Sequence, residues 1–207
     1  MATIVFDFDG TIADSFDYVI DFLSERSKNK PKLSASDRKK LRGLSMIALA
    51  CLLGHHRHQL AGLFLRGRKD MRAGMNKVKP IKGMPEVISS LAADGHKLFI
   101  VSNNSADNVE QFLKKHKIHH HFTGIHGNAW MLGKHRALAR LARRSKTDDW
   151  DVHYIGDEPG DIKAANYLSA KSIGVTWGFC SRAKIEANEP TAVADRPGEL
   201  LALIDEA

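Results

Sequence analysis

Long apolar runs are missing from this sequence of 207 residues. No stretch approaches the roughly 18 consecutive apolar residues of a membrane helix, so we expect no membrane-spanning segment. The first apolar run, residues 3–6, is short, has no basic residues before it and leads directly into Asp7. This is not the pattern of a signal peptide, and we therefore expect a cytoplasmic protein.

Cysteine is also scarce. Cys51 and Cys180 lie far apart and form no CxxC pair, which leaves no cysteine signal for a metal or redox site. Internal repeats and low-complexity segments are missing as well. The apolar fraction of 43% is enough for an ordinary core, in one sizeable domain or one domain with a small insert.

Acidic residues are outnumbered, since 24 Asp and Glu face 31 Lys and Arg, for a net charge of +7. Such an excess can serve nucleic acid or attract small anions such as phosphate esters. The basic residues are scattered and lack the regular aromatic interleaving of a single-strand binder. We favour a small phosphomonoester over nucleic acid as the partner, and we expect a monomer or a weak homodimer.

Strand-like runs alternate with helical patterns over most of the chain. The predicted strands are residues 3–6, 97–102, 152–156 and 172–176, with 191–194 and 122–125 as weaker candidates. Because single helices separate the strands, the pattern predicts βαβ units, a parallel sheet and the α/β class.

Residues 15–82 break this alternation, because they contain no strand-like run. Helical patterns cover residues 16–28, 36–42, 45–53 and 58 to about 75, with glycines between them. The stretch follows the first strand directly. We predict a helical insert of residues 15–82 over the strand ends, and a core of residues 1–14 and 83–207.

An acidic pair follows the first predicted strand, in the sequence Asp-Phe-Asp-Gly-Thr from Asp7 to Thr11. Alternate residues of an extended chain point the same way, so Asp7 and Asp9 can aim at one point. One carboxylate can attack phosphorus, and the second can protonate the leaving oxygen. The structural alternative is an acidic turn that merely ends the strand.

Two more acidic residues, Asp157 and Asp161, follow the third of the four main strands in the sequence Gly-Asp-Glu-Pro-Gly-Asp. Carboxylates at such a turn suit Mg²⁺, which prefers one or two of them together with water and substrate phosphate. The structural alternative is an acidic start to the helix that begins at Pro159.

Polar residues after the second main strand, Ser102 and Asn103, precede a helix that Asn104 or Ser105 can cap. A hydroxyl before a helix N-terminus can also hold a phosphate oxygen. Lys134 begins another predicted helix and can neutralise a phosphate. Neither signal decides alone, but sites in open α/β sheets lie at the carboxyl ends of strands, and all four signals fall there or at a helix start.

Four motifs follow one another along the chain: DxDGT from Asp7, a serine at Ser102, Lys134, and GDxxxD from Gly156. Their order resembles that of the haloacid dehalogenase-like phosphatase superfamily. The resemblance covers nearly the whole chain, and residues 174–179 and 194–197 are similar to phosphoglycolate phosphatase-like members. It implies a Rossmann-like parallel core with a helical C1-type cap inserted after strand 1.

The resemblance also implies roles for these residues. Asp7 is the expected nucleophile, and Asp9 the general acid and base whose backbone carbonyl binds Mg²⁺. Asp157 and Asp7 are the expected carboxylate ligands of Mg²⁺, and Asp161 orients Lys134 or a metal-bound water. The expected phosphate site comprises Thr11, Ser102, Asn103 and Lys134, and Thr11 also supports the loop by hydrogen bonding.

One further candidate, Arg42, lies in a stretch, residues 41–45, that resembles the cap loop facing the active site. It can grip a substrate carboxylate or second phosphate, although a solvated arginine explains it equally well. Histidines at 55, 56 and 58 in the predicted insert and at 119–121 in a predicted loop lack partners at metal-site spacing, and we favour solvated histidines over a metal site there.

The expected activity is Mg²⁺-dependent hydrolysis of a small phosphomonoester through an aspartyl-phosphate, with phosphoglycolate as the named candidate. The alternatives are a phosphomutase of the same fold, a phosphatase acting on nucleic-acid ends, and a nucleic-acid-binding protein.

Overall fold

The structure, a computed structural model, describes residues 1–66, 68–131, 133–145 and 151–205. Its sheet consists of β1 (Thr3–Phe6), β2 (Lys97–Val101), β3 (Phe122–His126), β4 (Val152–Gly156), β5 (Lys171–Val175) and β6 (Ala192–Ala194). All neighbours pair in parallel, in the order β3-β2-β1-β4-β5-β6. The predicted α/β class is confirmed, and each predicted strand is found within one residue at either end.

The central strand, β1, is buried along its whole length. Ile4 and Phe6 pack into a cluster on one face of the sheet, whereas Val5 packs with Tyr154 of β4 on the other. Burial on both faces explains why this strand is a continuous apolar run rather than an alternating one.

Helices pack on both faces of the sheet, and helices also form most of the segment between β1 and β2. That segment holds α1 (Phe16–Arg26), α2 (Ala35–Leu41), α3 (Met46–Leu52), α4 (Arg57–Arg66) and α5 (Arg68–Met75). The later helices are α6 (Met84–Ala93), α7 (Ala106–Lys115), α8 (Lys134–Ser145), α9 (Pro159–Asn166), α10 (Arg182–Glu186) and α11 (Glu199–Asp205).

Two local predictions need correction. The region 58–75, predicted as one helix, holds both α4 and α5, and Gly67 between them lies outside the described residues. The predicted loop of histidines is also wrong, because His119–His121 form a short 3₁₀ helix that leads into β3.

Residues 15–82 are called here the helical segment, and the chain entering it lies beside the chain leaving it. The Asp14 amide donates to the Lys79 carbonyl (2.9 Å), and the Ile81 amide donates to the Ile12 carbonyl (2.8 Å). Phe16, Leu23 and other residues of α1–α4 form a second apolar cluster, to which Phe179 from outside the segment also belongs.

The division into a core of 1–14 and 83–207 and a cap of 15–82 stays a prediction. Within those ranges, residues 67, 132, 146–150, 206 and 207 lie outside the described part of the chain. None of the helices in the described part is long and apolar enough to cross a membrane.

Candidate active site

The predicted site residues meet at the carboxyl ends of three neighbouring strands. Asp7 follows β1, Ser102 follows β2 and Asp157 follows β4, and β1 lies between the other two. The Asp7 amide donates to the Ile155 carbonyl (2.8 Å), which fixes the loop after β1 against β4. The connections from β1 and β4 run to opposite sides of the sheet, and a crevice opens at such a point.

Three buried carboxylates form the centre of this crevice. Asp7, Asp157 and Asp161 each offer an oxygen, and these oxygens all lie within 4.8 Å of one another. Asp161 lies in the first turn of α9, where its Oδ2 accepts a hydrogen bond from the Glu158 amide (3.1 Å). The helix start therefore holds one acid while the strand ends hold the other two.

Lys134 bridges two of these acids from the first turn of α8. Its Nζ lies 3.0 Å from Asp7 Oδ1 and donates a hydrogen bond to Asp161 Oδ1 (2.5 Å). The side chain is 9% exposed, so the lysine is part of the buried cluster and not a surface residue.

Burial governs the protonation of this cluster. It raises the pKa of Asp7 to about 8, and the neighbouring ammonium of Lys134 offsets only part of that effect. Burial and the charge of Asp7 hold the pKa of Asp157 well above its usual range. For Lys134, burial lowers the pKa, but Asp161 and Asp7 outweigh it and raise the pKa, so the amine stays charged.

The cluster fits a divalent cation by the chemistry of its donors. Three carboxylates face a single ammonium here among the described residues, so ionising all of them leaves negative charge uncompensated. Hard cations take oxygen ligands of this kind. A dication beside Asp7 and Asp157 would favour the ionised carboxylates that burial otherwise disfavours.

Both oxygens of Asp157 are fixed by the surrounding loops. Thr11 Oγ1 donates to Asp157 Oδ1 (3.2 Å), and the Phe179 amide donates to Oδ2 (2.7 Å). Trp177 Nε1 in turn donates to the Thr11 carbonyl (3.2 Å). Thr11 is fully buried and contacts the acid cluster through this hydrogen bond, and its expected part in phosphate binding stays a prediction.

Gly10 allows the acids to come this close. Its φ is +81°, a left-handed conformation, and a Cβ there would lie 2.3 Å from Asp157 Oδ2 and 2.5 Å from the Phe179 ring. The Phe8 carbonyl accepts hydrogen bonds from the amides of Ile12 and Ala13 (both 3.0 Å), which closes the loop beneath Gly10.

Asp9 is held by Asn104, which lies in the loop after the neighbouring strand β2. Asn104 Nδ2 donates to Asp9 Oδ2 (2.9 Å), and the Asn104 amide donates to Ser102 Oγ (3.1 Å). Burial raises the pKa of the Asp9 carboxyl. Asp9 and the Ser102 hydroxyl are therefore connected through one asparagine, in the arrangement expected if both face the same ligand.

A chamber of about 270 Å³ opens beside Asp9, between the helical segment and the loops after β2 and β3. Asn103 lines it, together with apolar side chains of the helical segment and with Arg57. This space, the chamber, adjoins the crevice at Asp9.

Arg42 is not among the chamber's lining residues. Its guanidinium lies over the Phe16 ring (4.3 Å to the centroid) and 3.8 Å from Asp17 Oδ2. The side chain is 45% exposed, so the role expected for Arg42 stays a prediction.

The helical segment contacts the acid loops directly. Glu158 Oε1 accepts a hydrogen bond from the Met46 amide (2.6 Å) at the start of α3. The Gly43 amide donates to the Phe179 carbonyl (2.8 Å), and Lys184 Nζ donates to the Gly43 carbonyl (2.7 Å).

Sequence reasoning misses three residues of the site. The sequence indicates Asn104 only as a helix cap, Glu158 only as part of an acidic motif, and the Phe179 amide carries no side-chain signal at all. The run of two asparagines after β2 is the only local signal for Asn104. The other two contacts depend on distant segments of the chain.

Comparisons with known proteins point to one family. Residues 4–175 match the family model for haloacid dehalogenase-like hydrolase. A phosphoglycolate phosphatase from Synechococcus elongatus is 29% identical over 97% of this chain and 96% of that protein. A phosphoglycolate phosphatase from Vibrio vulnificus is also 29% identical, over 58% of this chain and 54% of that protein.

Solved structures show the same fold. A haloacid dehalogenase-like family hydrolase from Streptococcus pneumoniae superposes with a TM-score of 0.79 over 98% of both chains, at 20% sequence identity. At that identity the likeness concerns the fold alone.

Proposed function

The chain belongs to the haloacid dehalogenase-like hydrolase family and is a phosphatase, and from this premise we propose that it hydrolyses a small phosphomonoester through an aspartyl-phosphate on Asp7. The observation that carries the proposal is the ion pair between Asp7 and the buried Lys134, 3.0 Å apart, beside a second acid, Asp9. A buried carboxylate next to a fixed ammonium can attack a phosphoryl group whose charge that ammonium neutralises.

The first half-reaction transfers the phosphoryl group to the enzyme. A carboxylate oxygen of Asp7 forms a bond to phosphorus while the bond from phosphorus to the ester oxygen breaks. Asp9, whose pKa is raised by burial, gives its proton to the leaving oxygen, and the alcohol departs.

The second half-reaction restores the enzyme. Asp9, now a carboxylate, takes a proton from a water molecule whose oxygen attacks phosphorus. The bond between phosphorus and the Asp7 oxygen breaks, and inorganic phosphate leaves. Asn104 holds Asp9 in place through both steps, because it donates to Asp9 Oδ2.

We propose Mg²⁺ as the cation of the site. The carboxylates of Asp7 and Asp157, together with the Asp9 backbone carbonyl, would hold it, and Asp161 would orient Lys134. When bound, the cation supplies positive charge to the phosphoryl oxygens and keeps the buried carboxylates ionised.

The phosphoryl oxygens are assigned to Lys134, the Ser102 hydroxyl and the backbone near Asn103. Thr11 acts on this site through Asp157, its hydrogen-bond partner. Charge in the transition state spreads over the three phosphoryl oxygens, so catalysis here is largely positioning and neutralisation.

Phosphoglycolate is the first substrate to test, because the two relatives described above carry that activity in their names. We expect the enzyme to act on the small ester as a monomer or a weak homodimer, which analytical ultracentrifugation would measure.

The test is phosphate release from a panel of phosphomonoesters, with Mg²⁺ or with EDTA, for the wild type and Asp7→Asn. We expect Mg²⁺-dependent release that the variant loses while its circular dichroism spectrum is retained. Asp94→Asn, which changes an exposed carboxyl at the end of α6, is the matched control and should behave as wild type. Wild-type turnover by Asp7→Asn would remove the nucleophile from the proposal.

A further inference from the structure

The chamber begins at Asp9, which lines it. In the proposed function, Asp9 gives a proton to the leaving oxygen of the ester. That oxygen must then lie at the chamber's entrance, and the carbon part of the alcohol has to extend into the chamber.

The size of the chamber exceeds what a glycolyl group needs. Its volume of about 270 Å³ is far above the roughly 10–15 Å³ that a cavity needs to hold one water molecule. A two-carbon acid fills a small part of that space and leaves the rest to water.

The wall formed by the helical segment is mostly apolar. Its apolar side chains are Val19 from α1, Met46 and Ile47 from α3, and Leu60 and Leu65 from α4, and Arg57 at the start of α4 is the charged residue on this side. Ile47 is 44% exposed and Leu65 is 46% exposed, and large apolar side chains with this much exposure are few among the described residues. Covering them with apolar ligand surface is favourable, because it removes that surface from water.

The opposite wall comes from the loops after β2 and β3 and combines amides with one large aromatic ring. Trp130 lies there with Asn103 and Asn128. Asn104 and Asn108 also line this wall, and Asn108 Nδ2 donates to Asn104 Oδ1 (3.1 Å). The lining therefore combines apolar side chains of the helical segment with an indole ring, which suits a flat or branched hydrocarbon body.

We propose that the chamber binds the alcohol part of the substrate, and that the preferred substrates are phosphomonoesters whose alcohol carries an apolar body larger than a glycolyl group. The proposal rests on the proposed function, which places the leaving oxygen at Asp9. It goes further by assigning substrate selection to Ile47 and Leu65.

The test compares ethyl phosphate, 2-phenylethyl phosphate and phosphoglycolate by kcat/KM in the presence of Mg²⁺. The first two are esters of primary alcohols, so they differ mainly in the apolar body. We expect kcat/KM to be at least ten times higher for 2-phenylethyl phosphate than for the other two, because even one methylene in an apolar pocket changes this ratio by about tenfold or more.

Variants locate the effect. Ile47→Ser should lower the ratio of kcat/KM between 2-phenylethyl and ethyl phosphate about tenfold. Leu52→Ser is the matched control, because Leu52 lies in the same helix, is 65% exposed and is not among the chamber's lining residues. The control should leave the ratio unchanged.

Two outcomes overturn the proposal, and they differ from a failure of the proposed function. Hydrolysis of phosphoglycolate or ethyl phosphate at least as fast as of 2-phenylethyl phosphate removes the size preference but keeps the phosphatase. If no ester is hydrolysed, the proposed function fails, and calorimetry with ethylphosphonate and 2-phenylethylphosphonate then decides on the chamber. Equal dissociation constants for the two phosphonates would contradict it, and at least tenfold tighter binding of the larger one would support it.

Discussion

At the scale of single residues, the balance of charge around Lys134 decides whether the site is stable. Its ammonium is the only cation that the structure places, within the described residues, in ion-pair contact with both Asp7 and Asp161. Removing one partner of a buried ion pair leaves uncompensated charge and costs about 3–5 kcal/mol. An exposed pair contributes about 0–1 kcal/mol by comparison.

We therefore predict that Lys134→Met abolishes turnover and lowers the Tm by roughly 6–20 °C, the range that a loss of about 3–5 kcal/mol gives in a chain of this size. The matched control is Lys114→Met, because Lys114 forms a solvent-exposed ion pair with Glu110 and its side chain is 61% exposed. Thermal unfolding of both variants without metal measures the difference. Equal melting temperatures would show that the buried pair contributes no more than the exposed one.

Gly10 is the second residue on which the site depends, since a methyl group at this position has no room. Gly10→Ala should reduce kcat/KM at least tenfold, because the new Cβ displaces Asp157 or the Phe179 ring. The left-handed backbone adds about 1–3 kcal/mol of strain. Gly160→Ala is the control: a Cβ added to this glycine of α9 would meet no atom within 4 Å, and alanine should be neutral or stabilising there.

Steady-state kinetics of these two glycine variants measures the change in kcat/KM, and urea unfolding measures the change in stability. If Gly10→Ala retains wild-type kcat/KM, the close approach of Gly10 to Asp157 is not required for catalysis.

At the scale of elements, α3 is connected to the start of α9 by one hydrogen bond. Glu158 Oε1 accepts from the Met46 amide, and three residues earlier the Gly43 amide is held by the Phe179 carbonyl. A hydrogen bond to a charged group contributes about 1.5–3 kcal/mol. The free energy of opening at this junction should fall by a similar amount when the carboxylate is removed.

We predict that Glu158→Ala speeds hydrogen exchange at the Met46 and Gly43 amides by about 10- to 150-fold, the factor that corresponds to about 1.5–3 kcal/mol. Both amides should respond because they lie on one short stretch that opens together. Glu86→Ala changes a glutamate on the surface of α6 and should leave both rates unchanged. Unchanged exchange at Met46 in the Glu158 variant would mean that other contacts hold α3 in place.

The elements also show what the sequence can predict. Local apolar runs predict each strand, and Asp7, Ser102 and Asp157 are expected together because the carboxyl ends of parallel strands share one edge. The contact of Asn104 with Asp9 joins residues 95 apart, and that of Glu158 with Met46 joins residues 112 apart. No local pattern encodes such pairs, because they depend on how the helical segment and the loops pack.

Arg42 illustrates the same limit. The sequence places it where the predicted helix 36–42 meets the cap-like loop 41–45, but its stacking on Phe16 and its pairing with Asp17 depend on the rotamer that packing selects. The apolar wall of the chamber is likewise hidden in the sequence, since Ile47 and Leu65 lie in different helices and look like ordinary core residues of an amphipathic pattern.

At the scale of the whole molecule, a chain of net charge +7 gathers a cluster of acids at one buried point. The positive excess elsewhere attracts anionic esters to a site whose own carboxylates would repel them. This arrangement lowers the stability of the folded state when the acids are ionised, because burial disfavours their charged form.

Stability should therefore depend on pH and on Mg²⁺ together. The pKa of Asp7 is about 3.8 in the unfolded chain and about 8 in the folded one without metal. The folded state binds the extra proton between these values, so stability is highest below about pH 4 with respect to this group and falls as the pH rises to about 8. Raised pKa values at Asp9 and Asp157 act in the same direction.

In differential scanning calorimetry, we expect the metal-free protein to lose Tm between about pH 5 and 8, and Mg²⁺ to restore it by an amount that grows with pH, because the cation competes with protons for the same oxygens. Asp7→Asn has no proton to exchange at this position and should show a flatter pH profile with a smaller gain from Mg²⁺. A gain from Mg²⁺ that is the same at both ends of this pH range would place the cation away from these carboxylates.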